Sequence, residues 1–198
     1  MLFERPTTST VEEMLDKFAV IEAIEFERFC RDNALWSEMH KCFTKNSTVA
    51  ISWYQGSGAG FVEASSKMES KAPHKINNTM VWLNKARTRA SAICMACIQI
   101  RREINGIDMD LHSYARLVYT MEKNENGWQV VSFEAIYEKD CLVPASPAGF
   151  APQGRASYGN LSAILGTQGY TIDQNLPGDD KPESLIPLMN KVKAWIEN

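Results

Sequence analysis

Long hydrophobic runs are absent from this chain of 198 residues. No apolar stretch approaches the roughly 18 residues that a transmembrane helix needs. The start, Met1-Leu-Phe-Glu-Arg-Pro6, lacks the apolar segment of a signal peptide, so none is expected. An excess of one charge is also absent, because the net charge is −3 and the lysines and arginines are scattered. We therefore expect neither nucleic acid nor a membrane surface as a partner.

Sites with strong sequence signatures are missing as well. The chain has no glycine-rich phosphate loop, no cluster of metal-ligand residues and no nucleophile elbow. Hydrophobic residues make up 44% of the chain and charged residues 23%, which is typical of a globular protein with a sizeable core.

The five cysteines are an odd number, which favours reduced thiols in a cytoplasmic protein. Cys94-Met-Ala-Cys97 has the spacing of a redox pair, but it lies in an apolar stretch that is typical of a strand. Redox pairs need a helix N-terminus to lower the pKa of the thiol. We therefore interpret these cysteines as ordinary core thiols.

The first half of the chain is mainly helical by pattern and the next part mainly extended. Thr10 and Glu13 form a capping box before an amphipathic segment. The apolar residues at helical spacing in it are Met14, Leu15, Phe18, Ile21, Ile24 (or Glu25 in its place) and Phe29. Helices are predicted at 10–31, 35–43 and 61–70, with a glycine-rich loop at 56–60. Strands are predicted at 48–54, 79–84, 87–102, 112–122 and 128–137, with hairpin turns at Asn105-Gly106 and Asn126-Gly127. This order predicts an α+β fold with a curved, mostly antiparallel sheet around the helices, enclosing a pocket.

The composition changes after residue 143. Proline, glycine and alanine dominate residues 144–152, and short helices are predicted at 158–167 and 183–197. We therefore divide the chain into a domain at 1–143 and an extension at 144–198. The extension is too small to fold alone, so it is expected to pack on the domain or on a partner subunit.

Asp32 and His74 are the best candidates for chemistry. Asp32 is predicted just past the first helix and His74 at the opening of a strand, so both can meet at the mouth of a cone-shaped fold. Histidine is the side chain that offers a base near neutral pH unaided, and a carboxylate behind it fixes its tautomer. The alternative is structural: His74 caps a strand or loop, and Asp32 caps the second helix.

Other polar residues are candidates for lining the pocket. Asn78 would hold a developing oxyanion or the His74 loop, and Tyr54 would line the pocket or pack in the core. His112 and Tyr114 share one strand face: a concave face makes His112 a second acid–base group, and a convex face, which we favour, makes it an exposed or interface residue. One of Glu134 and Tyr137 is expected to reach the cavity. The sequence positions of these candidates are Tyr54, Asn78, His112, Tyr114, Glu134 and Tyr137.

Four motifs resemble those of SnoaL-like proteins in the nuclear-transport-factor-2-like superfamily. Asp32-Asn-Ala-Leu-Trp36 is similar to the entry into that family's second helix, and His74-Lys-Ile-Asn-Asn78 to its His-x-x-x-Asn strand opening. Ala115-Arg116-Leu-Val-Tyr119 and Asn126-Gly127-Trp128 are similar to its hairpin.

The resemblance implies a cone-shaped fold and an activity without metal or organic cofactor. Relatives in the superfamily include scytalone dehydratase, lindane dehydrochlorinase, bile-acid 7α-dehydratase, ketosteroid isomerase and polyketide cyclases. The aspartate and histidine of the dehydrochlorinase fall at Asp32 and His74. Glu27 is near a position where the dehydrochlorinase has lysine and the bile-acid enzyme tyrosine, so neither substrate is implied, although Glu27 stays a candidate substrate contact.

These observations favour a lyase or isomerase that acts on a small apolar molecule by His–Asp proton transfer, as a homodimer or homotrimer by resemblance. The alternative is a non-catalytic ligand-binding or assembly module of the same fold. A third hypothesis is the small subunit of a ring-hydroxylating oxygenase, which would co-purify with a large iron-containing chain. An enzyme is expected to have a largely apolar pocket of roughly 300 Å³ or more, whereas a scaffold would fill the cone with its own tryptophans and methionines.

Overall fold

The computed structural model describes residues 4–68 and 72–197. The chain forms two compact units, residues 1–143 and 144–198. Each unit is described by itself.

The first unit contains three helices, the third of which lies between the second and third strands. They are α1 Val11–Asp32, α2 Trp36–Lys41 and α3 Gly58–Ser66. The predicted capping box is confirmed, since the Thr10 hydroxyl accepts from the Glu13 backbone N–H and the Glu13 carboxylate accepts from the Thr10 backbone N–H. Asp32 is the last residue of α1 rather than a residue past it. The N-cap of α2 is Leu35, and no side chain caps this helix, so Asp32 does not cap α2.

The first unit also contains a six-stranded mixed sheet, which confirms the α+β class. The strands are β1 Phe43–Ile51, β2 Tyr54–Ser57, β3 His74–Leu83, β4 Arg89–Ile104, β5 Ile107–Asn124 and β6 Gly127–Pro144. They lie in the order β2-β1-β6-β5-β4-β3, with β1 parallel to β6 and the β1–β2, β3–β4 and β4–β5 pairs antiparallel.

The two Asn-Gly turns are confirmed, and the loop predicted at 56–60 is wrong. Asn105 and Gly106 both have positive φ, 53° and 78°, as the tight turn between β4 and β5 requires. Gly56 belongs instead to β2, and α3 begins at Gly58 because the Ser57 hydroxyl caps it by accepting from the Gly60 N–H.

The buried face of α1 matches the predicted one only in part. Of the predicted residues, Ile24 is fully buried, whereas Met14, Leu15, Phe18 and Phe29 are each more than half exposed. The buried face carries Val20 and Ile24 together with the charged residues Glu27, Arg28 and Arg31. Apolar residues lie on both sides of this helix, so periodicity alone does not decide which side packs on the sheet.

Aromatic residues and buried thiols fill the core of the first unit. Tyr119 and Phe133 stack with ring centroids 4.7 Å apart, and Phe61 packs edge-on against Phe133. All five cysteines are free. Burial raises the pKa of Cys94 to about 12. Cys94 and Cys97 both belong to β4, where residues three apart point to opposite faces, so they are not arranged as a redox pair.

The second unit contains α4 Gly159–Gly166, a 3-10 turn Pro182–Leu185 and α5 Ile186–Glu197. Arg155 connects its segments, because its guanidinium pairs with the Asp180 carboxylate and donates to the carbonyls of Gln174 and Leu176. Across both units, none of the helices within the described residues combines the length and apolarity needed to span a bilayer.

Candidate active site

Asp32 and His74 are in contact. The Asp32 Oδ1 atom lies 2.8 Å from His74 Nδ1, and Asp32 Oδ2 accepts the His74 backbone N–H at 2.7 Å. An ionised carboxylate only accepts hydrogen bonds, so Nδ1 carries the proton and Nε2 is left with a free lone pair. The end of α1 and the first residue of β3 thus orient the imidazole through two separate hydrogen bonds.

Burial keeps this imidazole neutral. It lowers the pKa of His74 to about 4, and the cations Arg28 and Arg31 act in the same direction, whereas the hydrogen bond and charge of Asp32 oppose the shift. The side chain is only 8% exposed. At neutral pH His74 is therefore an uncharged acceptor with a fixed tautomer.

His74 lines a cavity of about 190 Å³. The cavity wall is largely apolar, with Ile51, Trp53, Phe61, Ile98, Leu117 and Phe133 among its residues. Among the described residues, the polar ones that line it are Arg28, Arg31, Ser52, His74, Ser113 and Tyr137. The volume is smaller than the roughly 300 Å³ expected of an enzyme pocket.

Tyr137 is the residue of the pair Glu134 and Tyr137 that reaches the cavity. Its hydroxyl donates to the Ser52 hydroxyl at 2.8 Å and accepts the Ser52 backbone N–H at 2.9 Å. This pair joins β6 to the turn after β1.

The other predicted pocket residues lie elsewhere. Leu111 and Ser113 of β5 line the cavity, so His112 and Tyr114, which alternate with them, face the opposite side of the sheet. Glu134 is exposed and likewise does not line the cavity. The structure therefore places His112 on the sheet face opposite the cavity, the alternative that the sequence analysis favoured.

Asn78 and Tyr54 contact neighbouring residues of the fold and do not line the cavity. Asn78 is exposed, has a φ of 50° at an irregularity of β3, and its amide contacts the Met95 sulfur at 3.5 Å, so it neither lines the cavity nor contacts His74. Tyr54 packs on Phe61 and donates its hydroxyl to the Ser57 carbonyl.

Glu27 does not line the cavity. Its carboxylate is fully buried and forms an ion pair with Arg28. The Tyr119 hydroxyl approaches Glu27 Oε2 at 3.5 Å. This carboxylate balances the charge of Arg28 instead of facing a substrate.

Arg28 and Arg31 were missed by the sequence analysis. Both line the cavity, and both are almost fully buried. The Arg28 guanidinium stacks over the Phe133 ring at 4.8 Å, and Arg31 lies 3.9 Å from Asp32 Oδ1. Val20, Ile24 and these two arginines are spaced so that they lie on one face of α1. This spacing is the sequence signal from which the burial of the two arginines could have been predicted.

Solved structures resemble this chain over about 70% of its length. A putative scytalone dehydratase from Novosphingobium aromaticivorans has a TM-score of 0.56, is 15% identical, and the match covers 70% of this chain and 96% of that one. The hexachlorocyclohexane dehydrochlorinase LinA-type3 from Novosphingobium barchaimii has a TM-score of 0.57 at 11% identity, covering 73% and 100%. A protein with a cystatin-like fold from Novosphingobium aromaticivorans, described as NTF2-like, has a TM-score of 0.50 at 14% identity, covering 72% and 96%.

The chain has the nuclear-transport-factor-2-like fold. This confirms the resemblance seen in the motifs around Asp32 and His74. At such low identities the likeness concerns the fold and not the reaction.

Curated proteins that resemble this chain in sequence come from a fungus. A PEP2-like protein of Fusarium vanettenii is 28% identical over 145 residues, and pea pathogenicity protein 2 of the same organism is 26% identical over 144 residues. The match covers 69% of this chain, which spans about 60% of the length of each relative. No family model matches the chain.

Proposed function

We propose that this protein is a cofactor-independent lyase or isomerase. In this proposal, His74 takes a proton from a carbon or an activating hydroxyl of a small, largely apolar molecule, and Asp32 supports it. Elimination of water or halide, migration of a double bond and ring closure all begin with such a step.

The observation that carries this proposal is that His74 lies in the wall of an apolar cavity, with Nδ1 held by Asp32 and no hydrogen bond to Nε2 from the residues that the structure describes. A general base must be unprotonated at the working pH and within reach of the proton that it removes. His74 is neutral because burial lowers the pKa of its imidazole to about 4. Asp32 stabilises the imidazolium that forms after proton transfer, since that cation lies beside its carboxylate.

The test uses a nitrobenzisoxazole, a small bicyclic aromatic whose ring opens to a coloured cyanophenolate when a base removes its C–H proton. We expect the wild-type protein to accelerate this opening. We expect His74→Gln and Asp32→Asn to lower kcat/KM by about 10²-fold or more, the usual contribution of a positioned base. Asp32→Asn acts because an amide no longer enforces the required imidazole tautomer.

His40→Gln is the matched control, because His40 is an exposed histidine at the end of α2. Its rate should equal that of the wild type. Circular dichroism shows whether each variant keeps the sheet. Equal rates for wild type and a folded His74→Gln variant would contradict the role of His74 as the base.

The small cavity favours a second candidate, a non-catalytic ligand-binding module. A volume of about 190 Å³ is below that of most substrate pockets. Native mass spectrometry of the purified protein distinguishes the two. A module would bind one molecule equally well in wild type and His74→Gln, and would release it chemically unchanged.

Two further expectations stay predictions. The free cysteines support a cytoplasmic location, because thiols persist in a reducing compartment. The homodimer or homotrimer rests on the family resemblance alone.

A further inference from the structure

Arg31 is a buried cation that the fold does not explain. Its side chain is 6% exposed and lines the cavity. Within residues 4–68 and 72–197, its hydrogen bond is to the Met68 sulfur, from Nη2 at 3.3 Å. A thioether is a weak acceptor, and a guanidinium has five N–H donors. Burying a charge without strong hydrogen-bond partners is costly, so its retention calls for a reason.

Asp32 does not satisfy Arg31. Their closest atoms are 3.9 Å apart, which is an ion-pair distance but too long for a hydrogen bond. Both Asp32 oxygens already accept from His74, one from its ring and one from its backbone. Arg28 differs, because it is paired with the buried carboxylate of Glu27. Within the described residues, Arg31 is therefore the cavity cation that lacks a strong hydrogen-bond acceptor.

Arg31 is also close to the proposed base. The ring nitrogen of His74 and the guanidinium of Arg31 lie at 2.8 Å and 3.9 Å from the same Asp32 oxygen. Both side chains line the same cavity, so one small molecule there can contact both groups. Asn78 was the sequence-based candidate for stabilising an oxyanion, but it is exposed. Another group would have to stabilise the oxyanion.

We infer that Arg31 binds an oxygen of the substrate that becomes negatively charged when His74 removes the proton. The substrate is therefore an apolar ketone or enone with an acidic C–H next to, or conjugated with, its carbonyl group. The C–H electron pair forms a C=C bond, the carbonyl π electrons move to oxygen, and the proton moves to His74 Nε2. The resulting oxyanion accepts hydrogen bonds from Arg31 in a water-poor site, where such bonds are strong. This inference rests on the proposed function, since it assigns the substrate class of the same site.

Para-nitrophenol tests the oxyanion site without any turnover. Its phenolate absorbs visible light, so the pKa of the bound phenol is read from a pH titration of absorbance. We expect the wild type to bind phenolate at least about tenfold more tightly than the neutral phenol, which lowers the pKa of the bound phenol by about one unit. Arg31→Met should abolish this preference, whereas His74→Gln and the surface control Arg102→Met should keep it.

Arg31→Met is expected to fold, because replacing a buried charge by an apolar side chain of similar volume is often neutral or stabilising. With the nitrobenzisoxazole, it should lower kcat by about 10²-fold, as loss of one oxyanion donor does, and change KM little. Arg31→Lys keeps the charge without the planar fork, so it should recover part of the phenolate preference.

The outcomes separate the two proposals. Equal binding of phenol and phenolate by the wild type, or an undiminished preference in Arg31→Met, would overturn the role of Arg31. A lost preference in Arg31→Met supports the oxyanion site. Turnover that persists in His74→Gln while Arg31→Met loses the preference would overturn the proposed base and leave the anion site standing.

Discussion

Asp32 restrains His74 at two atoms, the ring Nδ1 and the backbone nitrogen. The backbone contact fixes where β3 begins relative to α1, and the ring contact fixes the tautomer. A single carboxylate therefore sets both the position and the proton placement of the imidazole. Asparagine has one acceptor oxygen, so it retains at most part of this arrangement.

His74 makes folding stability depend on pH. The folded pKa is about 4 and the ordinary value is 6.5, so between these values the unfolded chain binds a proton that the folded chain does not. Stability contributed by this group is present above pH 6.5 and is lost as the pH falls through 4, by about 3 kcal/mol at most. Urea unfolding at pH 7 and pH 4 should show a larger loss for wild type than for His74→Gln. An identical loss in both proteins would contradict a buried neutral His74.

The residue scale also shows what sequence patterns predict and what they miss. Asp32 and His74 were identified because their motifs resemble those of a known superfamily. Arg31 was missed because charged residues near the end of an amphipathic helix are usually solvated. Only packing against the sheet reveals that this arginine is buried.

At the scale of elements, the turn after α1 positions the site. Ala34 adopts a left-handed conformation with a φ of 58°, and the Leu35 N–H bonds back to the Cys30 carbonyl at 2.8 Å. This turn follows the end of α1, whose last residue is Asp32. A residue with a Cβ is strained there, because the left-handed region is comfortable mainly for glycine.

Ala34→Gly should therefore stabilise the protein by about 1 kcal/mol, since it relieves this strain at an exposed position. The matched control is Ala23→Gly in the interior of α1, which should destabilise by about 1 kcal/mol. The free energy of unfolding in urea measures both. Destabilisation by Ala34→Gly similar to that of Ala23→Gly would show that strain at Ala34 is negligible.

Strand alternation predicted which residues share a face of β5, but not which of its two faces lines the cavity. His112, Tyr114 and Arg116 were correctly grouped on one face of β5. Which face encloses the cavity depends on how the sheet curves around α1, and a period of two residues contains no information about curvature.

At the scale of the whole molecule, the cavity-lining residues that the structure describes belong to the first unit. The second unit has about 55 residues by these boundaries, a size at which isolated domains are marginal. Its internal order depends on polar contacts such as that of Arg155 with Asp180.

We predict that a chain ending at Pro144 keeps the sheet and the His74-dependent ring opening, whereas a fragment of residues 145–198 is unfolded alone. Circular dichroism and amide dispersion in NMR spectra test the fold of each piece. Loss of the sheet in the shorter chain would show that the extension is required for the first unit to fold.

The sequence by itself determined the α+β class, the α1 capping box, the Asn-Gly turns and the candidates Asp32 and His74. These follow from local rules, since caps, turns and periodicity depend on neighbours along the chain. Tertiary structure alone decided that Arg31 is buried, that Asn78 and His112 lie outside the cavity, and that the cavity is small. Those outcomes depend on which helix face meets the sheet and how the sheet curves, and residues far apart in the chain settle both through packing.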